Sequence, residues 1–142
     1  MNKLPGIIRK IQQSGALILV DVDMDGHSFS AMLIESAQKA EWLSEGNFVD
    51  LVFKETEVAL AKNLSGMISM RNRMTCSVRH IERGELLSKL DLQFREYTIA
   101  SAITTRSVDA LNLKVGDEVE ALVKANEVSL MKKISDHSTQ RF

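Results

Sequence analysis

Six residues between Ser69 and Ala125 offer groups that could hold an anion. Ser69 and Arg71 lie two apart, so in an extended segment both side chains point to the same side. The stretch "AITTRS" puts Thr104 and Ser107 at the start of a short helix, where free N–H groups and the helix dipole favour negative charge. Lys124 ends a strand and is followed by Ala125, whose backbone N–H can also donate. Singly, each has a plain structural role: Arg71 as a solvated linker charge, Thr104 as an N-cap, Lys124 as a surface lysine. As a set they are a guanidinium, an ammonium, hydroxyls and an amide, with no carboxylate among them. The chemistry such a set serves is the binding of an oxyanion.

A comparison inside the chain sharpens this reading. Lys54 falls on Lys124 at an offset of 70 residues (124 − 54), and the same offset places Gly46 on Gly116 and Val49 on Val119. It also aligns Glu57 and Val58 with Glu127 and Val128, Arg9 with Arg79 and Asp21 with Asp91, with no gap between residues 2–62 and 72–132. The chain is a tandem duplication, and such a repeat must be settled before any element is assigned. At this offset Thr104 faces Ile34, Ser107 faces Ala37, Ala125 faces Glu55 and Arg71 faces Met1. Of the charged and hydroxyl donors only Lys54 survives in the first copy. The residues of a shared scaffold persist while the donors differ as a group, which assigns the anion site to the second copy.

The elements that position these groups follow from period-two alternation and β-branched residues. In each copy we expect a strand over Gly6 to Gln12 or Cys76 to Ile81, a second over Ala16 to Met24 or Leu86 to Phe94, and a third over Ser28 to Ile34 or Tyr97 to Ile103. A brief helical piece follows, Ser36 to Leu43 or Arg106 to Leu111. A turn at Gly46 or Gly116 then leads into Phe48 to Phe53 or Glu118 to Val123, and a final short strand, Glu57 to Ala61 or Glu127 to Met131, closes the copy. Five short strands with one short helix suggest an all-β chain of two small OB-type barrels. The units are 1–64 and 67–133, joined through "KNLSGMISM", with a frayed tail at 134–142. Units of this size bury little apolar surface alone, so they should pack together or oligomerise.

Bulk composition removes several other functions. The chain has 142 residues with 44% apolar and 26% charged, typical of a globular protein, and a formal net charge of -1. That balance and the 5% of aromatic residues argue against a nucleic-acid binder. The longest apolar run, Ala16 to Val20, is far short of a membrane span, and the N-terminus does not read as a signal peptide, so a cytoplasmic location is expected. A single cysteine, Cys76, excludes an internal disulfide and a cysteine metal cluster; in a strand it reads as a buried structural thiol. "DVDMDGHSFSAM" imitates a calcium loop, but Met32 stands where the loop needs a bidentate glutamate, so Asp25-Gly26 reads as a hairpin turn. His27, His80 and His137 have no metal-ligand spacing, and no phosphate loop or nucleophile elbow is present. Nothing supports an enzyme.

"SMRN", "AITTRSVDALNLKVGDEVEALVKANEV" and the duplicated layout resemble the molybdate-binding Mop, or TOBE, family, which includes small molbindins and the paired effector domains of molybdate-responsive regulators. The family's opening motif is Ser-Ala-Arg-Asn, and here it stands as Ser69-Met70-Arg71-Asn72, with Met70 in place of alanine. Its Thr-x-x-Ser matches Thr104 to Ser107, and its Lys-Ala matches Lys124-Ala125. The resemblance implies two tandem OB-like Mop domains that bind molybdate through Ser69, Arg71, Lys124 and the Ala125 backbone. Thr104 and Ser107 would then approach from a facing subunit, in a dimer or trimer with its sites at interfaces.

Molybdate at neutral pH is a tetrahedral dianion without a proton, so it needs donors only. Charge-assisted hydrogen bonds contribute roughly 1.5–3 kcal/mol each. Phosphate often carries a proton that needs an acceptor, sulfate is smaller, and tungstate matches both size and charge and should bind too. The expected function is therefore intracellular molybdate storage and homeostasis. The alternatives are a regulatory module that binds a partner protein with molybdate as effector, or an OB-type oligonucleotide-binding protein. The copies leave open whether Lys54 adds a second class of site.

Overall fold

The computed structural model describes residues 1–34 and 41–133. Its strands are β1 (Asn2–Ser14), β2 (Leu17–Met24), β3 (His27–Ile34), β4 (Phe48–Phe53) and β5 (Ala59–Ala61) from the first copy. The second copy supplies β6 (Asn72–Glu82), β7 (Leu87–Phe94), β8 (Tyr97–Thr104), helix α1 (Thr105–Ala110), β9 (Glu118–Val123) and β10 (Ser129–Lys132). A short 3-10 turn precedes each copy's last strand, Glu55–Glu57 and Ala125–Glu127. The helical piece expected over Ser36 to Leu43 falls largely outside the described residues, as does the expected frayed tail.

Both copies fold from the same local instructions. Along β1 the inward positions Asn2, Leu4, Gly6 and Ile8 alternate with more open ones, and β6 repeats the pattern at Asn72, Met74, Cys76 and Val78. A bulge interrupts β1 between Ile8 and Lys10, and β6 between Val78 and His80, so the paired arginines of the repeat, Arg9 and Arg79, are bulge residues. The bulge lets Ile8 and Val78 bond back to a tight turn, with Gly46 N–H on the Ile8 carbonyl at 2.7 Å and Gly116 N–H on the Val78 carbonyl at 2.8 Å. Both glycines sit at positive φ, 90° and 97°, a conformation a side chain would strain. Asp25 and Gly26, at φ 49° and 88°, turn β2 into β3 with Met24 opposite His27, so the calcium-like stretch is a hairpin.

The sheets depart from expectation in one respect. One sheet runs β10-β4-β1-β2-β3 and the other β5-β9-β6-β7-β8, so each copy's last strand completes the other copy's sheet. Leu60 lies opposite Ala121 in β9, and Leu130 opposite Leu51 in β4. The expected strands form, but neither closes its own copy. The physical reason is that β5 and β10 carry the same edge-strand pattern, and β4 and β9 offer matching edges, so alternation alone does not specify the partner. At each crossing an extended residue, Lys54 (φ −78°, ψ 151°) or Lys124 (φ −69°, ψ 146°), leads through the 3-10 turn to the strand that joins the other sheet. Val58 and Val128, 1% and 3% exposed, anchor the two crossings in one apolar core that takes Leu4, Val22 and Leu51 from the first copy and Met74, Leu92 and Ile99 from the second.

Candidate functional site

The register of the second sheet decides where the cations go. Asn72 is paired with Val123, so Arg71 and Lys124 are the next residues beyond the end of that ladder, side by side. Ser69 and Met70 precede Arg71 on the join, and Ala125 opens the 3-10 turn after Lys124. Ser69, Arg71, Lys124 and Ala125 thus line one open pocket of about 290 Å³, together with Met32, Met70 and Asn126. Among the described residues no carboxylate lines it, and neither Arg71 nor Lys124 is in an ion pair. The first N–H groups of a helical turn lack intrahelical acceptors, which leaves the Ala125 amide available to a ligand.

Thr104 and Ser107 stand elsewhere in the chain. Thr104 caps α1, accepting from the Ser107 N–H at 3.1 Å while its hydroxyl donates to the Ser107 hydroxyl at 2.8 Å. Four of the six residues singled out in the sequence therefore meet around one pocket, and two do not reach it within the chain.

The corresponding place in the first copy carries a different charge pattern. Glu55, the counterpart of Ala125, lies 3.8 Å from Lys89 Nζ and 3.5 Å from the Met1 amino group. The backbone N–H of Lys54 is taken by the Glu57 carboxylate at 2.8 Å. A carboxylate there already meets the nearby cations and would repel an incoming anion.

Two contributions were missed in the sequence. Met32 comes from β3 of the first copy, yet it forms a wall of the second copy's pocket. Asn72, the last residue of "SMRN", is 1% exposed; its amide donates to the Ser30 carbonyl at 2.9 Å and accepts from the Ser30 N–H at 2.7 Å. Asn2 does the same to Ala100, at 2.8 and 2.7 Å. The repeat aligns Asn2 with Asn72, but only the folded chain reveals that each clasps the other copy's strand.

Other candidates resolve into structure. Burial pushes the Cys76 thiol up to about 12, so it is no nucleophile near neutral pH. His27 packs on Phe29 and Phe94, with ring centroids at 4.7 and 5.2 Å, and burial lowers its pKa. Among the described residues no group of three or more His, Cys, Asp or Glu side chains could hold a metal ion, and no helix is long and apolar enough to cross a membrane. A larger cleft of about 830 Å³ is lined in part by Trp42, Phe48, Tyr97, Asp23 and Asp25 and contains none of the six residues.

Residues 68–130 match the TOBE domain family. The molybdenum import ATP-binding proteins ModC of Brucella abortus (strain 2308) and Brucella suis biovar 1 (strain 1330) are each 37% identical over 111 residues, 78% of this chain. The crystal structure of the cytoplasmic molybdate-binding protein ModG with molybdate bound superposes with a TM-score of 0.87 at 27% identity, covering 93% of this chain and 96% of that one. The chain belongs to the Mop/TOBE family. It spans 29% of the length of the curated ModC relatives it matches. The six residues singled out in the sequence, Ser69, Arg71, Thr104, Ser107, Lys124 and Ala125, all lie inside the matched span 68–130.

Proposed function

We propose that this chain binds molybdate, and tungstate as its close analogue, without catalysing a reaction. The observation that carries this reading is the pocket at the end of the β6–β9 ladder: Ser69, Arg71, Lys124 and Ala125 converge there, with no carboxylate on the wall among the described residues. An unprotonated dianion finds donors on that side and nothing that needs a proton back. In this reading the repeat units 1–64 and 67–133 divide the work, the second carrying the ligands and the first carrying Glu55 where an anion would sit. Thr104 and Ser107, remote from the pocket in their own chain, serve a facing copy, so the complete site lies at an interface of a homo-oligomer. Storage and homeostasis of molybdenum in the cytoplasm is the role that fits a binding protein of this kind. ModG, a cytoplasmic molybdate-binding protein that aligns over nearly the full chain, supports it.

Isothermal titration of anion-stripped protein with molybdate, sulfate and phosphate, beside Arg71→Ala, tests the proposal. Molybdate should bind far more tightly than the other two, and the variant should lose most of that affinity. Absence of molybdate heat in the parent protein would refute it.

A further inference from the structure

We infer that Met32 and Met70 form a thioether wall that sets which tetrahedral anion the pocket prefers, while the charged donors set how tightly any anion binds. This rests on the oxyanion reading above and deepens it. Met70 lies between Ser69 and Arg71 on the join, and Met32 reaches the same pocket from β3 of the other copy. Met32 is held there by an unusual tether. Ser30, two residues before it on the same strand, has its N–H and carbonyl clasped by Asn72, the residue that follows Arg71. One side chain therefore fixes the distance between the arginine and the wall.

The wall also tracks the donors. The counterpart of Met32 in the other copy is Ala102, on the strand that runs near the turn bearing Glu55. A large apolar side chain stands where the anion donors stand, and a small one where they are missing.

A thioether is polarizable, apolar and only a weak hydrogen-bond acceptor. An anion entering the pocket must give up water on the side facing Met32 and Met70 and receives no hydrogen bond in return. That loss is greatest for the anion with the highest charge density. Sulfate has the same charge as molybdate on a smaller frame and so loses more. Protonated phosphate presents an O–H that the sulfurs cannot satisfy well. Molybdate and tungstate, larger and more polarizable, lose less hydration and gain dispersion contact with sulfur.

The test is titration of the full chain with molybdate and with sulfate in Met32→Ala, Met70→Ala, the double variant and Met32→Leu, with circular dichroism to check folding. The alanine variants should bring the molybdate and sulfate affinities closer together by about fivefold or more, the scale of losing one or two buried methylenes. Met32→Leu, which keeps an apolar wall, should retain most of the preference. Arg71→Ala should weaken both anions together. A folded double variant with an unchanged affinity ratio would overturn the inference, as would a loss of affinity equal for both anions. If the parent chain binds neither anion, the oxyanion reading itself fails, which is a different result from an unchanged ratio.

Discussion

Asn72 and Ser30 exchange two hydrogen bonds, at 2.7 and 2.9 Å, between residues 42 positions apart, and Asn2 repeats the exchange with Ala100. The clasp satisfies the outward backbone groups of an edge strand that would otherwise template pairing with another chain. It also ties the strand bearing Met32 to the end of the ladder that bears Arg71. Asn72→Ala removes both partners and leaves a strand N–H and carbonyl unmet. It should cost roughly 2–4 kcal/mol in denaturant unfolding and weaken anion binding as well. A variant as stable as the parent would show that the clasp is dispensable.

The strand exchange makes a covalent prediction. Ala61 lies opposite Glu120, whereas closure of its own copy would set Ala61 opposite Asp50, the counterpart of Glu120 at the repeat offset. Ala61→Cys with Glu120→Cys should therefore form a disulfide within one chain on mild oxidation, and Ala61→Cys with Asp50→Cys should not. Thiol titration and non-reducing electrophoresis distinguish the two. The reverse pattern would mean that each copy closes on itself.

Stability should fall in mild acid because of His27. Burial is the main cause of its lowered pKa, with the Arg95 charge adding to it. The folded state thus binds fewer protons than the unfolded chain between the lowered value and the ordinary value of about 6.5. Stability is full above that window and drops as pH falls through it. His27→Gln should flatten this part of the melting-temperature profile. Asp109 and Asp117, both lowered by hydrogen bonds from Arg83 and Lys62, act in a separate and more acidic range, where protonation removes their contribution.

Cys76 should resist alkylation. With its thiol pushed up to about 12 and its side chain buried, it offers almost no thiolate at pH 8. Iodoacetamide should label it only as fast as the chain opens, and at once in denaturant. Rapid labelling of native protein would contradict the packing of β6.

The parts of this fold legible in the sequence are those written in local pattern and in the repeat. Phe48–Phe53 and Glu118–Val123 emerge with the expected ends, because apolar alternation and a positive-φ glycine bracket each one. Arg71 and Lys124, which line one pocket, were legible as candidates because one copy has them in company and the other does not. The exchange of β5 and β10 was not legible: two strands with one pattern face two equivalent edges, so alternation does not choose between them. Met32 followed it out of view, since nothing in "SFSAMLI" says that this strand borders the other copy's pocket. Asn72 was visible as a motif residue but not as a clasp, because its partner is a backbone.

The most direct test of the central claim is a crystal structure grown with tungstate, with the metal located by its anomalous scattering. The expected result is a peak within hydrogen-bond reach of Arg71, Lys124 and the Ala125 amide, with Thr104 and Ser107 of a neighbouring copy closing over it. A peak in the cleft beside Trp42, one beside Lys54 and Glu55 alone, or no ordered tungsten at all would contradict it.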